Sequence, residues 1–313
     1  MDAFLNELSL PTLQNSQQVI QMFNDLGLCY SRARIYGIRQ IKILSSFYNH
    51  EFVKGYTFLN WVIDNNADLD LRTLLKSVMG TAPFIDQIIS EYQTRTNSAL
   101  QIFYNQQECY GLGLASNYIY NSIAFSYNVD TWNQSQYTVS ISILNEDDAG
   151  NYAIEKYDAT ALNISNLAHS NRHQNYINSR IAITIQDGRD LLNRRLELFP
   201  NLRFCSAAEN QLLGIGVNTI SFQQIILRLF DLQNVSLGFN GNPIKPSDFP
   251  TKTTPESNSR EQQYRNELTI LCPDGVYRFF TWHSRFTPNG RIHFYPFETE
   301  GRILIGYVGN KLI

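Results

Sequence analysis

The sequence predicts an α+β protein of two domains, and three observations lead there. Apolar residues recur at helical spacing through the first hundred positions, alternation of period two replaces it from about 101 to 160, and the whole pattern restarts near 199. With 313 residues, 43% of them hydrophobic and 17% charged, the chain is long enough to bury a core in each domain. The expected boundaries are 1–198 (helical 1–100, strand-rich 101–160, helical 161–198) and 199–313, the latter two helices followed by an antiparallel sheet.

In chain order, Leu13, Val19, Ile20, Met22 and Phe23 form a helical stripe after Pro11 and Thr12, and Phe58, Leu59, Trp61, Val62 and Ile63 form a second. Asp68 and Asp70 precede a leucine run where acids suit a helix N-terminus, and Gly80 with Pro83 stop it. Segments 117–127, 137–144 and 152–157 alternate as strands, with the EDDAGN run of 146–151 as a hairpin turn. Residues 187–198 read as an amphipathic helix ended by Pro200. Then 202–215 reads strand, turn, helix, and 221–233 a second helix. Residues 239–259 hold four of the ten prolines and read as a long connection before strands at 266–272, 276–286, 291–295 and 302–308.

Composition excludes several function classes. With 25 Lys/Arg against 28 Asp/Glu, a uniformly basic nucleic-acid coat is ruled out and any such site is local. Cys29, Cys109, Cys205 and Cys272 are far apart without metal-ligand spacing, so a cysteine zinc site is not expected and the thiols read as reduced. No apolar run approaches the roughly 20 residues needed to span a bilayer, and the start carries no signal-peptide pattern, so a cytoplasmic location and no membrane contact are expected. Gly111 and Gly113 form a GxG lacking the strand-then-helix setting of a dinucleotide site, which favours a structural turn. His169 and His173 are four apart, yet without an HExxH glutamate or a third ligand they do not make a metal motif. No cofactor and no metal are expected. A PD-(D/E)xK nuclease would need Glu-x-Lys where this chain has adjacent Glu155 and Lys156.

The densest polar constellation is WHSRFTPNGRIHF, residues 282–294. If Phe286 to Gly290 form a five-residue loop, Arg285 pairs with Arg291 and His283 with His293, and all four gather on one sheet face; a four-residue loop would set Phe286 opposite Arg291 and scatter them to both faces. Like charges across a ladder repel, a cost relieved by an anionic partner or by carboxylates such as Glu256, Glu298 and Glu300. The same pleat turns Ile292 toward the two helices and Arg291 toward an open face. Residues 201–313 hold 11 Lys/Arg against 9 Asp/Glu, so the basic excess lies with the cluster.

The order LRFCSAAENQL, IILRLFDL, a hairpin ending GRIHF, then RILIGYVG resembles the RelE/ParE superfamily of small bacterial toxins over residues 200–313. The resemblance implies two helices on a short antiparallel sheet carrying basic residues, with Arg291 at the position of that family's strand arginine. The His or Tyr usual after the last strand falls near Asn310 or Lys311. The longer pieces LNWVIDNNADLDLRTLL, TAPF, LFPNLRF, TPES, WHSRFTPNGRIHF and IGYVGNKL resemble bacterial proteins of mobile or phage-defence gene neighbourhoods.

Two function classes follow. The first is a toxin-like antiviral defence protein that binds or cuts RNA, or takes another anionic ligand. It would be a metal-independent endoribonuclease with His283 or His293 as base or acid, Arg285 and Arg291 as charge stabilisers, Lys311 in support and Glu256 beside them. The second is a non-catalytic interaction subunit meeting a protein partner through its N-terminal region, for which exposed aromatics among Trp61, Trp132, Tyr118, Tyr120 and Tyr127 would be the mark.

Overall fold

The computed structural model describes residues 1–146, 152–216 and 220–312, and the fold is α+β. The EDDAGN turn lies largely outside the described residues. The chain divides into two compact units, Met1–Ile177 and Asn178–Ile313, so the helices of 178–198 group with the C-terminal unit. Packing explains that grouping: Gly188 lies so close to Leu212 that a Cβ would meet its carbonyl oxygen at 2.1 Å, and Arg195 Nε sits 3.8 Å from a Glu209 carboxylate oxygen.

The N-terminal unit is built on a seven-stranded sheet in the order Gln40–Lys42, Asp2–Leu5, Ile123–Phe125, Tyr152–Ile164, Gln136–Glu146, Ser98–Tyr104, Gln107–Glu108. Pairings among the first four strands are parallel and the rest antiparallel. This corrects two expectations. The first hundred residues are not purely helical, and the middle region is not purely antiparallel. Asp2–Leu5 and Gln40–Lys42 are too short to show a period, and the wholly buried Ile123–Phe125 reads as a bare apolar run, as internal parallel strands do. The helices answer to their signals. Ser16–Tyr36 ends at Gly37 in the left-handed region, and Leu69–Met79 starts at Asp68, whose carboxylate accepts the Leu71 N–H at 2.9 Å, and stops at Gly80. Gly111 and Gly113 lie in the short helix Tyr110–Ala115, where the Glu7 carboxylate accepts the N–H groups of Tyr110 and Gly111, a structural role. Trp61, Trp132 and Tyr127 are buried, and only Tyr118 and Tyr120 of the inspected aromatics are exposed, each 41%. All four cysteines are free and buried.

The C-terminal unit carries a five-stranded sheet in the order Leu202–Phe204, Arg302–Asn310, Gly290–Phe297, Trp282–Arg285, Thr253–Pro255. The first strand runs parallel to its neighbour and the remainder are antiparallel. One face, with Ile292, Phe294, Ile303, Ile305 and Val308 all buried, packs on the helices Ser206–Leu213 and Ile220–Ser236. The opposite face is half apolar. There Phe280, Cys272 and Leu304 pack with Ile270, Tyr295 and Phe297 beneath the separate hairpin Thr269–Leu271/Tyr277–Phe279. The predicted strand 276–286 is therefore two strands in different sheets. The predicted 239–259 connection contributes the edge strand Thr253–Pro255, an edge being where a proline is tolerated. Among the described residues no helix is long and apolar enough to cross a membrane.

Candidate functional site

The remaining half of that second face holds the polar cluster. Strand pairing sets His283 opposite His293 and Arg285 opposite Arg291, the register that a five-residue loop predicts. The loop is fixed by contact: a Cβ on Gly290 would meet the Phe286 ring at 2.3 Å, and the Gly290 N–H donates to Thr287 Oγ1 at 2.7 Å. On the flanking strands Thr254 faces His283 and Tyr307 faces His293, with the rings of His293 and Tyr307 5.7 Å apart. The edge strand then delivers Glu256, whose N–H donates to the Thr281 carbonyl at 2.8 Å and keeps it in the ladder.

Burial corrects one expectation sharply. Arg291 does not look out on an open face. It is 4% exposed, and its Nη1 donates to the carbonyls of Thr287, Pro288 and Gly290 at 3.3, 3.1 and 2.8 Å. The guanidinium is thus a clamp on the hairpin turn as well as a charge. Arg285 is half-buried, and its buried Nε has no hydrogen-bond partner. Lys311 is exposed and follows the last strand directly.

The two histidines are deeper still. His283 is 4% exposed and His293 1%. Their rings lie 5.5 Å apart, and His283 Nδ1 is 3.3 Å from Glu256 Oε1 without forming a well-directed hydrogen bond. Neither ring nitrogen of His293 makes a geometrically sound hydrogen bond, although the Phe280 carbonyl lies near enough to favour a proton on that ring. Burial, then the charges of Arg291, Arg285, Arg260 and Lys311, pull His283 down to about 4; burial and neighbouring His283 pull His293 down to about 4, against the opposing pull of Glu256. Both rings are neutral at pH 7. A ligand atom from each of Glu256, His283 and His293 lies within 4.8 Å of the others.

All six residues read from the sequence are therefore on one sheet face or at its edge, with unequal access to solvent. Sequence reading missed Arg260, which stands in the helix Asn258–Gln263. Its Nε lies 3.0 Å from Glu256 Oε2, and one of its terminal nitrogens donates to the Leu312 carbonyl at 2.9 Å. The signal was the i,i+4 spacing of Glu256 and Arg260. By contrast, His169 and His173 are engaged elsewhere. His169 Nδ1 is 3.2 Å from Ser165 Oγ, and His173 Nε2 donates to the Ser135 carbonyl at 2.9 Å.

Chemically, the cluster can attract an anion through its guanidiniums and offer lone pairs from two neutral imidazoles and one carboxylate. It is poorly equipped for general-acid catalysis at neutral pH, because the surrounding cations and burial keep protons off both rings. Comparison with protein-family models, with curated proteins and with solved structures gives no match for this chain.

Proposed function

We propose that the C-terminal unit binds RNA through the phosphate backbone at this basic cluster, in a toxin-like protein of phage defence, and that it binds without cutting. One observation carries the reading: four cations, Arg260, Arg285, Arg291 and Lys311, act on His283 while Glu256 is the carboxylate set among them. That excess positive charge is relieved by a polyanion. The order of strand, two helices and antiparallel strands, with the first strand beside the last, supports a RelE-like reading of the unit. Cleavage by a histidine pair is disfavoured by the depth of His293 and by the neutral state of both rings. Arg285 and Lys311 are the residues with enough access to meet a phosphate.

Fluorescence anisotropy with a labelled single-stranded RNA, titrated at several salt concentrations in EDTA, tests this. Arg285→Ala and Lys311→Ala should each weaken binding and lower the salt slope by about one charge. Absence of binding at low salt, or slopes unchanged in both variants, would overturn it. Cutting of the RNA in EDTA would refute the non-cleaving half.

The second reading, an interaction subunit, draws support from exposed Tyr118 and Tyr120, as expected, and from aliphatic residues that were not. Trp61 and Trp132 are buried, but Leu59 and Ile63, one helical turn apart, and Leu69 are 55%, 74% and 67% exposed. Analytical ultracentrifugation of Ile63→Asp against the wild type checks for self-association through the Leu59 and Ile63 helix face.

A further inference from the structure

We propose that Glu256, His283 and His293 form a binding site for one divalent transition-metal ion of the zinc class. The inference goes beyond the RNA reading and stands on separate geometry.

Two imidazoles and one carboxylate on adjacent strands are a recurrent three-ligand set for zinc and for non-haem iron, leaving further coordination positions open. At metal–ligand distances of about 2.0–2.2 Å, tetrahedral ligand atoms stand roughly 3.4 Å apart. His283 Nδ1 and Glu256 Oε1 are already at 3.3 Å, and all three ligand atoms lie within 4.8 Å of one another. Closing the set to tetrahedral spacing takes an approach of at most about 1.4 Å.

The independent sign is His293. A ring that is 1% exposed, with neither nitrogen in a geometrically sound hydrogen bond and only the Phe280 carbonyl nearby, is poorly repaid for burying its polar atoms. A metal on one nitrogen, with the other turned toward the Phe280 carbonyl, removes that cost and supplies the usual outer partner of a ligating imidazole. Glu256 is likewise oriented from outside. Arg260 holds Oε2 at 3.0 Å, which leaves Oε1 on the side of His283. The carboxylate is 6% exposed at its side chain, so it is committed to the cluster.

The neighbouring guanidiniums oppose a dication. The site therefore depends on ions that bind imidazole strongly, not on charge alone, and should take Zn²⁺ while rejecting Mg²⁺, which prefers oxygen and water.

Isothermal titration of tag-free, chelator-stripped full-length protein with Zn²⁺ and with Mg²⁺ tests the site, backed by the visible spectrum of the Co²⁺ form. The expected result is one Zn²⁺ per chain and no Mg²⁺ binding. His293→Gln and Glu256→Gln should each weaken Zn²⁺ at least about 100-fold, the upper end of what loss of an outer-shell partner costs, while His50→Gln leaves it unchanged. Thermal melts without metal show whether each variant folds. Should His293→Gln fail to fold, Glu256→Gln, which keeps size and a hydrogen bond to Arg260, decides. Substoichiometric zinc, equal affinity in the folded variants, or equal binding of Mg²⁺ would overturn the proposal. RNA titrations in EDTA are read separately, so either idea can fail alone.

Discussion

Arg291 and Ile292, adjacent in the chain, show what one step of pleat does. Ile292 is fully buried against the helical face, so truncation to Ala should cost about 2–4 kcal/mol in urea unfolding at pH 7. Arg291 points the other way yet is 4% exposed and bonded to three turn carbonyls. Removing it takes a charged donor from three turn carbonyls, of which those of Thr287 and Gly290 keep a backbone N–H, and leaves its buried volume empty, so Arg291→Ala should cost about 1–3 kcal/mol, whereas half-buried Arg285→Ala should cost under about 1. Unfolding of Arg291→Ala at the wild-type midpoint would show that the guanidinium does not hold the turn. The facing of both residues was legible in the sequence, because alternation alone decides it. The burial of Arg291 was not, because its partners are main-chain carbonyls, which leave no trace in side-chain pattern. Arg260 was missed for a related reason: it lies in a six-residue helix inside a Pro- and Ser-rich stretch, where no apolar stripe marks a helix.

At the scale of elements, the hairpin is the device that assembles the cluster, and its loop is where it can be disturbed. A Cβ at Gly290 would collide with the Phe286 ring, so Gly290→Ala must displace that ring or strain the turn. A double-mutant cycle checks this. Gly290→Ala should destabilise the wild type, cost less in a Phe286→Ala background, and give a coupling of about 0.5–3 kcal/mol in urea melts. Additive effects would mean the ring is not what excludes a side chain. The hairpin was legible because two alternating runs flank a loop rich in turn formers, but its register was not: a four-residue loop would set Phe286 opposite Arg291, and the pairing of Arg285 with Arg291 in the structure decides for five. Thr253–Pro255 was not, since three residues in a proline-rich segment carry no period, and only the sheet edge makes them a strand. Asp2–Leu5 and Gln40–Lys42 escaped detection likewise. Asp68, by contrast, signalled its own role, because a capping carboxylate acts locally and its partner is three residues away.

Across the whole molecule, four of the five histidines are buried, and all four titrate below their ordinary value. In the N-terminal unit, burial is the main cause for His169 and His173, with Arg172 adding to it in both and His173 adding to it in His169. In the C-terminal unit His283 and His293 fall to about 4. A histidine that stays neutral in the fold but gains a proton when unfolded makes unfolding take up protons between the two values. Stability is therefore full above about 6.5 and is lost as pH falls toward 4. Glu7 and Asp231, both raised by burial, pull in the opposite sense, with windows that begin near the ordinary carboxylate range. At pH 5.5 the histidines govern, and His283 and His293 alone should contribute about two protons on unfolding, with His169 and His173 adding to that. Calorimetric unfolding in EDTA at pH 5.5, in two buffers of different ionisation enthalpy, measures the uptake directly. It should be clearly positive there and fall toward zero by pH 7.5, with the melting temperature dropping between the two. Uptake at pH 5.5 that is unchanged when His283 and His293 are replaced by Gln would mean that these rings are charged in the fold. In that case the neutral imidazoles on which the reading of the cluster depends would not exist.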